Sequence, residues 1–291
     1  MNLRLLSAFV FTILILFSCN APKTLVSSKI NAENAFTAGN YAKAMKDWEQ
    51  YFSETTIEQV TGADFATAAK IAYMGENSLQ AITWFDQARY KSYSDFEMYI
   101  TLAEIYRKQK NISKELTALE YIKNNYSEKS SLINNRLFQI YDEIGLIDKA
   151  INVWGELDAE SKNDFQNLIS YFEIQKQLKD SIVCDSLALI ILDKDQKQVD
   201  ALEWMAIKYY WMGEKRYQRE MEIYNENKTT RQYRILLEEL NKSTADFKTS
   251  LGYLEKLWNL EPGKKYASYF ANIYARFGDE QKANYYEKYL E

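Results

Sequence analysis

The residues that could do chemistry are few in this 291-residue sequence, which contains two cysteines and no histidine. Histidine is the commonest general base and metal ligand, so its absence removes most catalytic devices. Two acidic pairs remain, Glu238 with Glu239 and Asp193 with Asp195. Adjacent acids diverge on a helix, and the second pair lacks the central glycine and distal glutamate of a calcium loop. Residues 263–265 lack the upstream glycine and the hydroxyl of a phosphate-binding loop. We therefore expect no enzymatic activity, no metal site and no cofactor.

Composition limits the elements that could position such groups. The 36 Lys and Arg residues are interspersed with 41 Asp and Glu residues, giving a net charge of −5. Binding to a polyanion needs clustered cations, so nucleic acid is not an expected partner. The 9 glycines and 2 prolines are too few to punctuate a β-sandwich or barrel. The aromatic content of 15% favours long helices with aromatic cores.

The first eighteen residues read as an export signal. Arg4 precedes an apolar run from Leu5 to Phe17, which is shorter than the roughly 20 residues that a membrane-spanning helix needs. The segment Leu16-Phe17-Ser18-Cys19 resembles the lipobox of bacterial lipoproteins. That resemblance implies a signal peptide over residues 1–18, followed by an acylated cysteine and a tether over residues 19–28.

Acylation of Cys19 would place the mature protein on a membrane, because two or three acyl chains give stable attachment where one is marginal. In lipoproteins, Asn20 rather than aspartate after the cysteine favours sorting to the outer membrane. The absence of an acidic run there favours the periplasmic leaflet. The alternative is ordinary secretion with an incidental cysteine. With Cys19 acylated, Cys184 is the only thiol, so no intramolecular disulfide is expected.

The rest of the chain contains an internal repeat. The segment from Ala35 to Trp48 returns in outline from Ile140 to Trp154, and again from Ile273 to Ala283. Each copy reads as a helix end, a glycine turn and a second helix that opens on a small residue. These segments resemble the tetratricopeptide repeat, a 34-residue helical hairpin. The resemblance implies an all-α fold, a tetratricopeptide-like right-handed solenoid of about seven to eight helical hairpins over residues 29–291.

The small residue of each second helix serves as the anchor from which the repeat is counted. Anchor spacings average about 34 residues, as this repeat class requires. The eight anchors are Ala44, Ala81, Glu115, Ala150, Ile182, Tyr217, Ser250 and Ala283. Eight units is therefore the expected number.

Glycines mark the expected turns, because a turn between antiparallel helices usually needs one residue at positive φ. Five of them lie four to six residues before an anchor: Gly39, Gly75, Gly145, Gly213 and Gly278. Residues 214–243 fit the repeat worst, and we expect a divergent or irregular segment there, with a break at residues 225–230. The alternative is an elongated helical insert, which would leave seven units.

Most aromatic side chains are expected to fill the core between stacked hairpins. The inner wall, formed by the first helix of each hairpin, holds peptides or extended segments in tetratricopeptide proteins. By resemblance, the candidate partner-binding residues are Glu104, Arg107, Lys108, Gln139, Asp142, Glu143, Tyr210, Trp211, Asn272 and Arg276. Tyr210 and Trp211 stand out, because hairpin stacking does not require an aromatic pair there. Packing against the segment after Gly213 is the alternative explanation.

These observations predict a membrane-anchored scaffold for protein–protein interaction in the bacterial envelope, which binds partner proteins or peptides on the inner face of the repeat array. The alternative is a helical-repeat lipoprotein that binds a small ligand or a glycan. The last hairpin ends on Tyr285, Tyr286, Tyr289 and Leu290. Either these residues form a surface for self-association, or they fold back on the preceding hairpin.

Overall fold

The computed structural model describes residues 22–290, and their side chains from residue 27 onward. These residues form fifteen α-helices and a short 3₁₀ turn, with no strand among them. The predicted all-α fold class is confirmed. The helices divide between Ile133 and Asn134 into two compact units. The predicted signal peptide (residues 1–18) and lipidation site, Cys19, lie outside the described residues.

The first unit contains three helical hairpins of similar size. Its helices pair in sequence order, first with second, third with fourth and fifth with sixth. Their bounds are α1 (Pro22–Thr37), α2 (Tyr41–Glu54), α3 (Gly62–Met74), α4 (Ser78–Tyr90), α5 (Phe96–Lys108) and α6 (Ile112–Asn125). Since α1 begins at Pro22, most of the stretch expected to be a tether, residues 19–28, is helical.

The second unit contains four further hairpins, one of them about twice as long as the others. α7 begins just before the division between the units, and α9 is a single short helix between two hairpins. The bounds are α7 (Ser131–Glu143), α8 (Ile147–Glu156), α9 (Ala159–Asn163), α10 (Phe165–Leu178), α11 (Ser181–Lys194), α12 (Val199–Glu226), α13 (Thr230–Leu260), α14 (Lys264–Arg276) and α15 (Glu280–Glu287). The described residues therefore form seven hairpins, and the expectation of eight was wrong.

A capping side chain and a buried residue four positions later mark the start of the second helix in five of the hairpins. The Asn or Asp side chain at the N-cap accepts a hydrogen bond from the backbone N–H three residues later, which satisfies one of the free amides of the first turn. This occurs at Asn40, Asn77, Asn111, Asp180 and Asp279. The residue four positions after the cap faces the paired helix and is buried: Ala44, Ala81, Glu115, Cys184 and Ala283.

That pattern corrects two of the predicted anchors. Ile182 is 79% exposed, and Cys184, which is fully buried, occupies the equivalent position in α11. Tyr217 lies in the interior of α12, where no turn precedes it. Positions 184 and 250 are 66 residues apart, close to two repeat periods. The long hairpin α12·α13 thus fills the space of two repeats with one pair of helices.

The long hairpin replaces the irregular segment that was expected at residues 214–243. Only residues 227–229 interrupt the two helices, so the alternative of an elongated helical insert was the correct one. Gly213 is not a turn but a site of close helix approach. A Cβ there would lie 3.0 Å from the Phe247 ring and 3.1 Å from the carbonyl oxygen of Ser243. The hydroxyls of Ser243 and Ser250 donate across the hairpin to the carbonyls of Gly213 and Ala206, each at 2.8 Å.

Large side chains fill the interfaces within each unit, as the repeat predicted. Trp48, Phe85 and Phe172 are fully buried. In the second unit, one cluster joins α12, α13 and α14 around Phe247 and Phe270. None of the helices described for residues 22–290 combines the length and apolar character that crossing a bilayer requires.

Candidate functional site

A groove on the second unit is lined by two tryptophans, Trp204 and Trp211. Its volume is about 280 Å³. Six of its seven lining residues lie on the first half of α12, and the seventh, Lys176, lies on α10. The lining residues are Lys176, Asp200, Glu203, Trp204, Ile207, Lys208 and Trp211. We call this surface the α12 groove.

The helical period of α12 places these residues together. Asp200, Trp204, Ile207 and Trp211 follow one another at spacings of four, three and four residues, which puts them on one face of a helix. The opposite face packs into the core through Leu202, Met205 and Ala206, which are buried. Burial of that face fixes the helix, so the groove residues project from a rigid element.

The indole of Trp204 is held in one orientation. Its Nε1 donates to Asp185 Oδ1 at 2.9 Å, and its ring meets Phe172 edge-on at a centroid distance of 6.0 Å. Lys208 Nζ lies 2.8 Å from the other carboxylate oxygen of Asp185. The carboxylate of Asp185 thus fixes both Trp204 and Lys208.

The remaining charges of the groove are also paired. Lys176 Nζ lies 2.7 Å from Glu173 and 4.0 Å from Asp200. Glu203 accepts short hydrogen bonds from the ammonium of Lys265 and the hydroxyl of Tyr266. Burial and the hydrogen bond to Glu203 raise the pKa of Tyr266, so the phenol stays protonated. Because these charges are compensated locally, the groove offers a ligand mainly an apolar and aromatic surface.

The structure separates the two aromatic residues that the sequence had singled out. Tyr210 is only 7% exposed and packs against Trp211, Phe247 and Tyr269. Burial raises the pKa of its hydroxyl, which accepts a hydrogen bond from Asn272 Nδ2 at 3.3 Å. Trp211 is 48% exposed and lines the α12 groove. Tyr210 is therefore a core residue, and Trp211 is the one available to a partner.

Arg276, another candidate, is engaged in an ion pair. Its Nε and Nη2 donate to the two carboxylate oxygens of Glu214 at 3.2 and 2.5 Å, and its guanidinium lies 4.1 Å from the Tyr217 ring centroid. Gln218 also donates to Glu214, at 2.6 Å. This arrangement ties α14 to α12 just beyond the groove.

Three candidates lie on α7. Gln139 Nε2 donates to Asn167 Oδ1 at 3.3 Å, and the buried Asn167 in turn donates to Asn135 at 2.7 Å. Asp142 is half-buried and Glu143 is exposed. The structure does not place these three side chains among the residues of the α12 groove.

The remaining candidates lie on α5 of the first unit. The Tyr73 hydroxyl donates to Glu104 Oε2 at 2.9 Å, and Lys108 Nζ lies 4.7 Å from the Tyr73 ring centroid. Arg107 is exposed. This polar surface on α3 and α5 contains no exposed aromatic face comparable with that of Trp211.

Of the groove residues, only Trp211 is among the partner-binding candidates drawn from the sequence. Trp204 and Ile207 share its helix face and could have been found from their spacing. Lys176 and Asp185 belong to other helices, and no local pattern links them to α12. Their contribution needed the three-dimensional structure.

Two observations bear on the reactive groups of the described residues. No group of three acidic or cysteine side chains among residues 22–290 has the arrangement of a metal site. Burial, followed by the carboxylates of Asp180 and Asp185, raises the pKa of the Cys184 thiol to about 11. The thiol therefore stays protonated and is a poor nucleophile at neutral pH.

The tyrosines at the end of the last hairpin differ in burial. Tyr286 stacks on Phe270 at a centroid distance of 4.3 Å and is half-buried. Tyr285 and Tyr289 are exposed and share a hydrogen bond of 3.0 Å between their hydroxyls. Tyr286 thus folds back on the preceding hairpin, whereas Tyr285 and Tyr289 stay on the surface. Self-association through this hairpin stays a prediction.

Comparisons with solved structures return tetratricopeptide-repeat proteins. A tetratricopeptide-repeat protein from Bacteroides fragilis is 20% identical, with a TM-score of 0.35 over 86% of this chain and 98% of its own. One from Parabacteroides merdae is 9% identical, with a TM-score of 0.45 over 92% of this chain and 94% of its own. The C-terminal part of a repeat protein from Cytophaga hutchinsonii is 15% identical, with a TM-score of 0.28 over 91% and 82%. No protein-family model and no curated protein matches the chain.

Proposed function

We propose that this chain is a non-enzymatic scaffold of the bacterial envelope, which binds an extended segment of a partner protein in the α12 groove. The observation that carries the proposal is the exposed Trp211 beside the oriented Trp204, on a helix fixed by its buried face. Aromatic side chains in a preformed groove are typical anchors of protein interfaces.

The size and charge of the groove indicate which part of a partner it takes. A volume of about 280 Å³ is at the lower end of small-molecule pockets and accommodates one or two side chains. Its lysines and Glu203 already have ion-pair partners on the surrounding helices, so a charged ligand would have to break existing ion pairs. An apolar or aromatic side chain of the partner is therefore the occupant that this groove favours.

Attachment to a membrane through a lipid is the second part of the proposal. Acylation of Cys19 would hold the protein on the outer membrane, facing the periplasm, and would bring the groove to envelope partners. The support is the resemblance of residues 16–19 to a lipobox. A Cys19→Ser variant should leave the membrane fraction or fail to be processed. Unchanged membrane retention with normal cleavage would contradict the anchor.

Photo-crosslinking in cells tests the groove. A photoreactive phenylalanine analogue in place of Trp211 should give discrete protein adducts, which Ile207→Ala should weaken. The matched control carries the same analogue in place of Tyr90, an 81% exposed aromatic residue on α4. Identical adducts from both positions would show that the groove has no specific partner.

A second candidate ligand is a glycan, since the exposed face of Trp211 could also stack on a sugar ring. This alternative predicts that soluble oligosaccharides raise the melting temperature of the wild type and not that of Trp211→Ala. The protein-binding proposal predicts no shift in either protein. Such a shift without protein adducts would favour the glycan.

A further inference from the structure

A cavity in the first unit lies where α4, α5 and α6 meet. Its volume is about 210 Å³. The α12 groove belongs to the second unit, so the cavity is a separate site and can be tested on its own. The side chains that determine its chemistry are Asp86 and Arg89 of α4, Tyr99, Leu102 and Tyr106 of α5, and Lys114 of α6. We call this space the α5 cavity.

The cations that line the α5 cavity are only partly neutralised. Arg89 donates to Asp86 through Nη2, and the other N–H groups of its guanidinium have no partner among the residues that the structure describes. The ammonium of Lys114 forms no ion pair with any of those residues. One carboxylate therefore faces two cations, which leaves the lining of the cavity with a net charge of +1.

The last hairpin shows how the charge of such a lysine is neutralised elsewhere in the chain. Lys114 and Lys282 each lie three residues after an N-cap and over a tyrosine ring, with Nζ 5.3 and 4.8 Å from the ring centroid. Lys282 pairs with its N-cap residue, Asp279, at 3.4 Å. The N-cap before Lys114 is Asn111, which caps the helix but carries no charge. The charge of Lys114 is therefore available to a ligand.

The hydroxyl of Tyr106 is a third free donor. The side chain is only 7% exposed, yet its hydroxyl forms no hydrogen bond within the described part of the chain. Burial, followed by the carboxylate of Asp86, raises the pKa of this hydroxyl, so it stays protonated. A buried phenol normally has a hydrogen-bond partner. An unpartnered phenol beside two incompletely paired cations therefore indicates a ligand that accepts hydrogen bonds.

We propose that the α5 cavity binds the carboxylate of a small organic acid, held by Arg89, Lys114 and the hydroxyl of Tyr106. The three groups supply donors and positive charge, which favours an anion over a neutral or cationic ligand. The planar guanidinium fork matches the geometry of a carboxylate, and hydrogen bonds between charged groups are the strong ones.

The apolar part of the cavity selects an acid with a hydrocarbon body. Leu102 and Tyr99 are almost fully buried, and the Tyr99 ring is held by stacking on Tyr121 at a centroid distance of 3.7 Å. The volume is smaller than that of most ligand pockets, so it admits a single ring or a short chain. An aromatic or short aliphatic carboxylate fits both halves of the cavity.

Matched small molecules test the class of ligand. Benzoate and hexanoate should raise the melting temperature of the full-length chain in a Cys19→Ser background, and isothermal titration calorimetry should give their dissociation constants. Benzamide has the ring of benzoate without its charge and should give no shift. Absence of a shift with both acids, or an equal shift with benzamide, would overturn the proposal. Inorganic phosphate binding as tightly as benzoate would contradict the choice of an organic acid.

Charge removal tests the position of the carboxylate. Arg89→Gln and Lys114→Gln should each weaken the binding of the tighter acid about tenfold, because each removes a hydrogen bond between charged groups. Lys282→Gln is the matched control, since it also removes a lysine from a tyrosine ring, and it should leave binding unchanged. An equal loss from all three variants would show a general charge effect and not a site at the α5 cavity.

Tyr106→Phe separates binding from packing. The variant should lower the affinity for the acid about tenfold, because a donor to the carboxylate is lost. It should leave the midpoint of urea denaturation unchanged, since the hydroxyl has no partner in the described part of the chain. Unaltered affinity would contradict the role of this hydroxyl as a ligand donor, whatever the change in stability.

Discussion

The hairpins of the first unit and the long hairpin α12·α13 solve the same packing problem in different ways. The helices of the first unit have 13 to 16 residues, whereas α12 has 28 and α13 has 31. In the first unit, Gly39 and Gly75 lie in the turns that follow α1 and α3, and the side chains of Asn40 and Asn77 cap the helices that begin after these turns. In the long hairpin, Gly213 lies inside α12 and lets Phe247 and Ser243 approach its backbone. Glycine therefore lies in turns between helices of the first unit, whereas in the long hairpin it allows two helices to approach closely.

This difference has a functional consequence. α12 continues past the position expected for a turn. It therefore carries both the groove residues, in its first half, and Glu214, which binds Arg276 of α14. The elongated helix is thus the element that holds the α12 groove in place.

The largest expected effect concerns how tightly the long hairpin is packed. Phe247→Ala should lower the free energy of unfolding by about 3–5 kcal/mol, because Phe247 is almost fully buried against α12 and α14. Phe85→Ala, at a fully buried position of α4, should cost a similar amount. Urea denaturation followed by circular dichroism measures both. A loss below about 1 kcal/mol for Phe247→Ala alone would mean that the long hairpin is loosely packed.

The next effect tests the role of Gly213. Gly213→Ala should destabilise the protein by about 1–3 kcal/mol, because the added methyl group would press on the Phe247 ring and a backbone carbonyl. Gly252→Ala in α13 is the control, since a Cβ there meets no atom within 4 Å. It should stabilise the protein by about 0.5–1 kcal/mol, as expected for an open helix position. The same sign for both variants would contradict the close approach at Gly213.

A pH-dependent effect is expected in the first unit. The Asp95 side chain caps α5 at Met98 N and accepts from Tyr93 and Lys70. Burial opposes its ionisation, but these partners outweigh burial and lower its pKa. Its contribution to stability is therefore present above about pH 4, the ordinary value for aspartate, and is lost as the pH falls through the lower folded-state pKa.

Asp95→Asn tests this contribution, because asparagine keeps the cap and removes the charge. The variant should be less stable than the wild type by about 1 kcal/mol at pH 7. The difference should disappear in strong acid. Melting temperatures between pH 2 and 7 measure it. A difference that stays constant across this range would show that the charge of Asp95 is not responsible.

The smallest expected change in stability concerns Ile182, and its comparison with Cys184 tests the corrected anchor position in α11. Ile182→Ala should change stability by less than about 0.5 kcal/mol, because the side chain is exposed. Cys184→Leu should cost about 1–3 kcal/mol, since a larger side chain has no room at the fully buried anchor. If Ile182→Ala were the more harmful of the two, the anchor would belong at residue 182.

The sequence allowed prediction of the regular hairpins because their signals are local. A glycine turn, an alanine anchor four to six residues later and a period near 34 mark the hairpins at Ala44, Ala81, Ala150 and Ala283. The long hairpin was harder, because Gly213 fits a turn as well as a close contact, since both need the absence of a Cβ. The groove depended on pairs far apart in sequence, such as Trp204 with Asp185 and Lys265 with Glu203. No periodic pattern reports which charges are paired across helices.

The continuity of α12 through Gly213 is the central claim, and amide hydrogen exchange tests it most directly. We predict that the amides of residues 213–216 exchange as slowly as those of residues 205–210, and far more slowly than those of the turn at Gly145. Exchange at residues 213–216 as fast as at that turn would contradict the account. It would place a break in α12 and return the segment to two separate repeats.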